Sequence, residues 1–169
     1  MIDDRTIEHL VVHATLTAPS EGFDFNQMVM SHYERGVRTP DPESRSAYHL
    51  VITRDGGLIT GRRMSEPARL SGALNESAVA VCLVGGLTDE GEYAPNFTAE
   101  QWITLGKVYE DLLELYPGLY PLGHKDVSPR DGKNLCPSFD VATWASVYLT
   151  AKGLTNDAEQ TDRHAPPEA

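Results

Sequence analysis

The stretch Gly123-His124-Lys125-Asp126-Val127-Ser128-Pro129, continuing through Lys133 to Cys136-Pro137-Ser138-Phe139-Asp140, carries an imidazole, a thiol and two lysines. His124 and Cys136 are twelve positions apart in a segment broken by Gly and Pro. An irregular loop of that length can fold both side chains onto one point. Neutral imidazole and thiolate are ligand types for a borderline-soft cation such as zinc. Two ligands make no site. A third candidate is His13, which follows the apolar run Glu8-His9-Leu10-Val11-Val12. Three protein ligands leave one tetrahedral position open, the arrangement of a catalytic rather than a structural zinc. The competing reading is that each histidine is a hydrogen-bonded structural residue at a strand end, and nothing in the spacing forces His13 to meet His124. A metal-free cysteine hydrolase using Cys136 and His124 is a further alternative.

These side chains need a scaffold. Residues 8–12 read as a short buried strand that delivers His13, and residues 119–123 as another that delivers His124. Between them the pattern predicts a helix over 25–33 capped by Asp24 and stopped by Gly36, and strands over 47–53 and 58–62 joined by a hairpin at Arg54-Asp55-Gly56-Gly57. Residues 78–84 (Ala-Val-Ala-Val-Cys-Leu-Val) are continuously apolar and should be the most buried strand. Thr98 and Gln101 form a capping box for a helix in which Trp102, Leu105, Val108, Tyr109, Leu112 and Tyr116 recur at helical spacing. A last helix is expected over 140–149. Segments 37–46 and 64–76 read as irregular. The order predicts an α/β fold with a single mixed central sheet of about five strands flanked by helices.

The 169 residues suffice for one domain with a proper core. Residues 1–150 are expected to form it, with 151–169 a polar, disordered tail ending in Ala165-Pro166-Pro167-Glu168-Ala169. Fourteen basic against twenty-five acidic residues give a net charge of -11, which argues against general attraction to nucleic acid or an anionic membrane surface. The first residues lack the basic start and apolar run of a secretory signal, so a cytosolic product is expected. That compartment argues against a disulfide between Cys82 and Cys136. Cys82, inside the apolar run, reads as a small buried hydrophobe. Tyr48 has a polar tip on an apolar strand and reads either as a group reaching the site or as a core tyrosine with a satisfied hydroxyl. His49 should point to the opposite face. His32, next to Glu34 and Arg35, reads as exposed, the pair Asp89-Glu90 as solvated, and His9 and His164 have no evident partner.

Five segments, in order, resemble the type 2 N-acetylmuramoyl-L-alanine amidases: Val11-Val12-His13-Ala14-Thr15, the run from Ala47 to Gly56, the run from Ala80 to Gly86, Asn96 to Gln101, and His124 to Pro129 with Cys136 to Asp140. They span roughly residues 7–148, and within the family the small phage endolysins look most similar. The resemblance implies a zinc-dependent peptidoglycan hydrolase with one zinc per chain. His13, His124 and Cys136 match its ligand positions and Tyr48 its catalytic tyrosine. Phage members carry a catalytic lysine two residues before the cysteine. Here Lys133 lies three before Cys136, with an extra Arg130-Asp131-Gly132, and takes that role, with Lys125 the alternative. A second departure is Arg69-Leu70-Ser71-Gly72, where many members carry a histidine before the small residues. The implied substrate is the amide between N-acetylmuramic acid and L-alanine, cut by a monomer that reaches the wall from the host cytoplasm after the membrane is breached. Two alternatives follow from the same resemblance. One is a recognition module that binds peptidoglycan without cutting, a branch in which the cysteine ligand is typically lost. The other is an amidase that also regulates a phage RNA polymerase.

Overall fold

A computed structural model describes residues 5–37, 46–69, 73–128 and 132–154. The parts of the expected tail beyond Leu154, of the loop after Val37, and of the segments around Ser71 and Arg130 that fall between these ranges lie outside the described residues. The five strands are β1 (His9–Ala14), β2 (Leu50–Ile52), β3 (Leu58–Thr60), β4 (Ala78–Leu83) and β5 (Tyr120–Gly123). They form one sheet in the order β3-β2-β4-β1-β5. β1 pairs parallel with both β4 and β5, β2 pairs parallel with β4, and the hairpin partner β3 runs antiparallel at the edge. Every residue of the central strands β1 and β4 is buried, the continuously apolar β4 as expected and β1 together with its two histidines, His9 and His13.

The period of two along the strands divides the core. Leu10, Val12, Ile52, Val79, Val81 and Leu83 face one side. There they pack against α2 (Ala99–Leu115) and α4 (Val141–Lys152), which contribute Leu105, Tyr109, Leu112, Val141, Ala145 and Leu149. On the other side Val51, Cys82 and Val84 meet Phe25 and Met28 of α1 (Phe25–Glu34) together with Tyr48. Asp24 caps α1 by accepting from the backbone N–H groups of Asn26 and Gln27, and Gly36 follows it at φ 86.

Strand β1 runs on through His13 to Ala14 rather than ending at 12, and β3 stops at Thr60 rather than 62; three further differences have physical reasons. β2 begins only at Leu50, because Tyr48 packs in the same cluster as Val51, an odd spacing that a regular strand does not permit. Residues 124–127, expected as loop, form the one-turn helix α3 (His124–Val127), where the Asp126 carboxylate accepts from the Gly123 N–H at 2.7 Å. Helix α4 continues past residue 149 to Lys152 and closes on Gly153 in the left-handed region. The irregular stretch after Met64 is fastened from the N-terminus: the Arg5 guanidinium donates to the carbonyls of Met64, Glu66, Asn75, Glu76 and Ala78.

The capping box of α2 also joins the helix to the sheet. Gln101 is fully buried. Its Oε1 accepts from Thr98 N–H, and its Nε2 donates to the carbonyls of Ile52 and Val84 at the ends of β2 and β4. Gln101→Met keeps the length of the side chain but removes the partner of the Thr98 N–H and of the Val84 carbonyl, while the Ile52 carbonyl keeps its bond from the Val84 N–H. It should lower unfolding free energy by about 2–4 kcal/mol, read from urea denaturation. A change under about 0.5 kcal/mol, the ordinary surface range, would contradict this role.

Candidate active site

The parallel register brings the first two ligand candidates together. β1 and β5 pair from His9 opposite Tyr120 to Val12 opposite Gly123. The next residues are His13, still in β1, and His124, the first residue of α3, and their rings lie 4.5 Å apart, centroid to centroid. Cys136 arrives from the following loop. Its Sγ accepts from the Ala14 N–H at 3.2 Å, and its carbonyl accepts from the Lys125 N–H at 2.8 Å. Asn134, which the sequence reading passed over, braces this loop. Its Oδ1 accepts from Cys136 N–H, and its Nδ2 donates to the Ser128 and His124 carbonyls. The metal-binding atoms of His13, His124 and Cys136 all lie within 4.8 Å of one another. Nε2 of His13 is buried and has no hydrogen-bond partner. A buried polar atom without a partner is costly, and a cation shared with the other two donors satisfies it. The donor set therefore fits a metal ion.

These residues form the floor of a cleft of about 680 Å³ at the carboxyl ends of the parallel strands. Tyr48 and Lys133 line it as well, and Lys125 does not. Lys133 is exposed on the cleft side of the loop, whereas Lys125 exerts its charge on Asp140. The opposite wall is α1, which contributes Gln27, Ser31, His32 and Arg35. His32 corrects the sequence reading: it is 5% exposed rather than solvated. Its neighbours Glu34 and Arg35 suggested a surface position, but helical spacing groups it with Phe25 and Met28, which face the sheet. That spacing was the available signal. His49 points away from the cleft as expected. Its Nδ1 accepts from Ala80 N–H at 2.9 Å and its Nε2 bonds to the Glu66 carbonyl at 2.9 Å. Cys82 is a buried free thiol. His9 is buried with its Nδ1 3.4 Å from the Ser77 hydroxyl, Asp89 accepts from the Ser20 hydroxyl, and His164 lies outside the described residues.

Burial governs protonation here. It holds the His13 pKa well below the usual imidazole range, helped by His124 and His32, so the ring is neutral as a ligand must be. It raises Tyr48 well above its ordinary value, with the Cys82 thiol beside it and its hydrogen bond adding to the effect, so the phenol keeps its proton. It pushes the Cys136 thiol up to about 11, against the Ala14 N–H, which favours thiolate. A free thiolate nucleophile is disfavoured in that setting, which weighs against a metal-free cysteine hydrolase.

A single mixed sheet with a cleft at the ends of its parallel strands, floored by two imidazoles and a thiol, defines a hydrolase-like α/β domain. The chain belongs to the N-acetylmuramoyl-L-alanine amidase family, whose sequence pattern matches residues 3–139. The endolysin of Enterobacteria phage T3 is 33% identical over 139 residues, which cover 82% of this chain and 85% of that one. Among solved structures, the N-acetylmuramoyl-L-alanine amidase LysC from Clostridium intestinale shares the fold with a TM-score of 0.65 at 20% identity, over 89% of this chain and 88% of that chain. The Drosophila peptidoglycan recognition protein SA shares it with a TM-score of 0.58 at 15% identity, over 82% and 77%.

Two buried histidines, His32 on the cleft and His49 turned away from it, set a pH dependence. Burial lowers both His32 and His49 from 6.5 to about 4. Unfolding restores the ordinary value, so between these limits the unfolded chain binds more protons and stability falls as the pH is lowered. The contribution is present above about 6.5 and is lost as pH drops through about 4, roughly 3 kcal/mol at most for His49 and less for His32, whose ring borders the open cleft. Urea midpoints measured from pH 7 to pH 4.5 should fall, and less steeply for His49→Gln. Equal slopes for the two proteins would contradict the buried neutral state of His49.

Proposed function

We propose that the chain hydrolyses the amide joining the lactyl group of N-acetylmuramic acid to L-alanine of the peptidoglycan stem, using one zinc ion held by His13, His124 and Cys136. The observation that carries this reading is the convergence of those three donors, with an unpartnered His13 Nε2, on the floor of a cleft. When bound, zinc supplies the Lewis acidity that polarises a carbonyl and makes water nucleophilic at neutral pH. The chain's own residues do the rest. The cleft holds the stem peptide against the strand ends. Tyr48, kept protonated by burial, donates a hydrogen bond to the oxygen of the scissile carbonyl as charge develops there. Lys133, on the rim, sets a positive charge beside the same oxygen. Such preorganised donors act in the transition state more than in the ground state.

The fold alone does not separate cutting from recognition, since it is shared by amidases and by recognition proteins. Cys136 favours cutting: it is kept here, buried at 2% exposure and inside the donor set, whereas the recognition branch typically lacks it.

The test is mass spectrometry of the products released from purified peptidoglycan. Free stem peptides with L-alanine at the amino end are expected, without new reducing sugars. Tyr48→Phe and Lys133→Ala should each lower kcat by about 10²–10³-fold, the usual cost of losing one oxyanion donor, while bound metal is retained. Sugar fragments in place of peptides would contradict the amidase, and metal-loaded protein that binds peptidoglycan and releases nothing would establish the recognition module instead.

A further inference from the structure

We propose that His32 is a positioning residue for the reaction: it fixes the backbone that presents Tyr48 to the cleft. The inference rests on Tyr48 acting as described above. His32 is the one buried residue of α1 among those described, and it reaches the segment that carries Tyr48 at two points. Its Nδ1 accepts a hydrogen bond from the Ala47 N–H at 3.3 Å, and its ring meets the Tyr48 ring edge-on at 5.1 Å between centroids, with the planes at 77°. Tyr48 also contacts the His13 ring, at 5.0 Å. The phenol is thus held by an imidazole of α1, an imidazole of the metal-candidate set and a side-chain hydrogen bond with the Cys82 thiol.

The need for such a brace follows from the backbone. β2 starts at Leu50, so Ala47 and Tyr48 lie outside the regular ladder. Their other polar contacts are few. The Tyr48 N–H donates to the Ser46 hydroxyl at 3.0 Å, the Tyr48 carbonyl accepts from Arg62 N–H at 2.8 Å, and the Ala47 carbonyl accepts from Arg69 N–H at 3.4 Å. Ala47 itself is buried, and its N–H needs an acceptor that no strand supplies. The His32 imidazole provides it. Its bond to Ala47 uses Nδ1 as acceptor, so the neutral ring carries its proton on Nε2. A misplacement of about 1 Å at a catalytic group costs on the order of 10²-fold in rate. Loss of the acceptor therefore registers in turnover before it registers in substrate binding.

Two substitutions separate the two contacts. His32→Phe keeps a ring against Tyr48 but removes the acceptor. His32→Asn keeps an acceptor where Nδ1 stood, since the Asn amide oxygen occupies a similar position, and shortens the ring contact. Both are measured for kcat, KM and bound metal on purified peptidoglycan, alone and combined with Tyr48→Phe. The expected result is a loss in kcat of about tenfold or more for His32→Phe with KM and metal content unchanged, and recovery of most of it in His32→Asn. In the Tyr48→Phe background His32→Phe should cost little more, because the two residues act through one group. A His32→Phe loss that multiplies fully with an impaired Tyr48→Phe, or a His32→Asn as impaired as His32→Phe, would overturn the positioning role alone. Wild-type turnover in Tyr48→Phe would overturn the role of Tyr48 and this inference with it.

Discussion

The parallel pairing of β1 with β4 on one side and β5 on the other is the constraint on which the site depends. It aligns strand ends rather than strand middles, so the residues just past the last pairs of β1 and β5 become neighbours. With Val12 opposite Gly123, His13 and His124 meet although 111 positions separate them, the difference between their residue numbers. A slip of one residue would turn one of the two imidazoles to the other face of the sheet. The burial of every side chain in β1 and β4 holds the register in place. Residues facing α2 and α4 on one surface and α1 on the other cannot be exchanged without exposing core.

Onto that frame the chain adds parts that are individually weaker. The loop from His124 to Cys136 is drawn in by hydrogen bonds to Ala14, Lys125 and Asn134, and the thiol ends beside the two rings. Ser138, in the left-handed region at φ 80, donates its hydroxyl to the Gly86 carbonyl. It thereby ties the loop's far end to the end of β4. The opposite wall is a helix whose cap, Asp24, turns its carboxylate to backbone N–H groups; among the described lining residues it faces two cations, Lys133 and Arg35, the latter donating from Nε to the Ser31 carbonyl. In a chain of net charge -11 the described cleft lining therefore carries two cations against one anion.

What could be read from the residues alone was the supply of parts. The apolar runs that became β1, β4 and β5 were plain from their composition, and so was α2, because Thr98 and Gln101 announce its start. The metal-binding types were also visible. Their convergence was not, because parallel pairing between distant strands leaves no trace in local spacing. It entered through resemblance to a family whose motifs occur here in order. The errors have a common origin in tertiary packing. His32 looked solvated because its chain neighbours are charged, yet the helix turns it inward. The strand expected from residue 47 is cut short by the side chain of Tyr48, which leaves the strand's alternation to enter the cleft. The one-turn helix at His124 has too few residues for any periodic signal.

The proposed chemistry requires His13, His124 and Cys136 to hold one metal ion together. X-ray absorption at the zinc edge, on protein loaded with one equivalent of zinc, reads the donor set directly. Two imidazole nitrogens and one sulfur with light-atom completion are expected, the sulfur at about 2.3 Å and the nitrogens at about 2.0–2.1 Å, with the sulfur signal absent in Cys136→Ser. A zinc shell of oxygen and nitrogen alone in the wild-type protein, or a sulfur shell that survives Cys136→Ser, would contradict it.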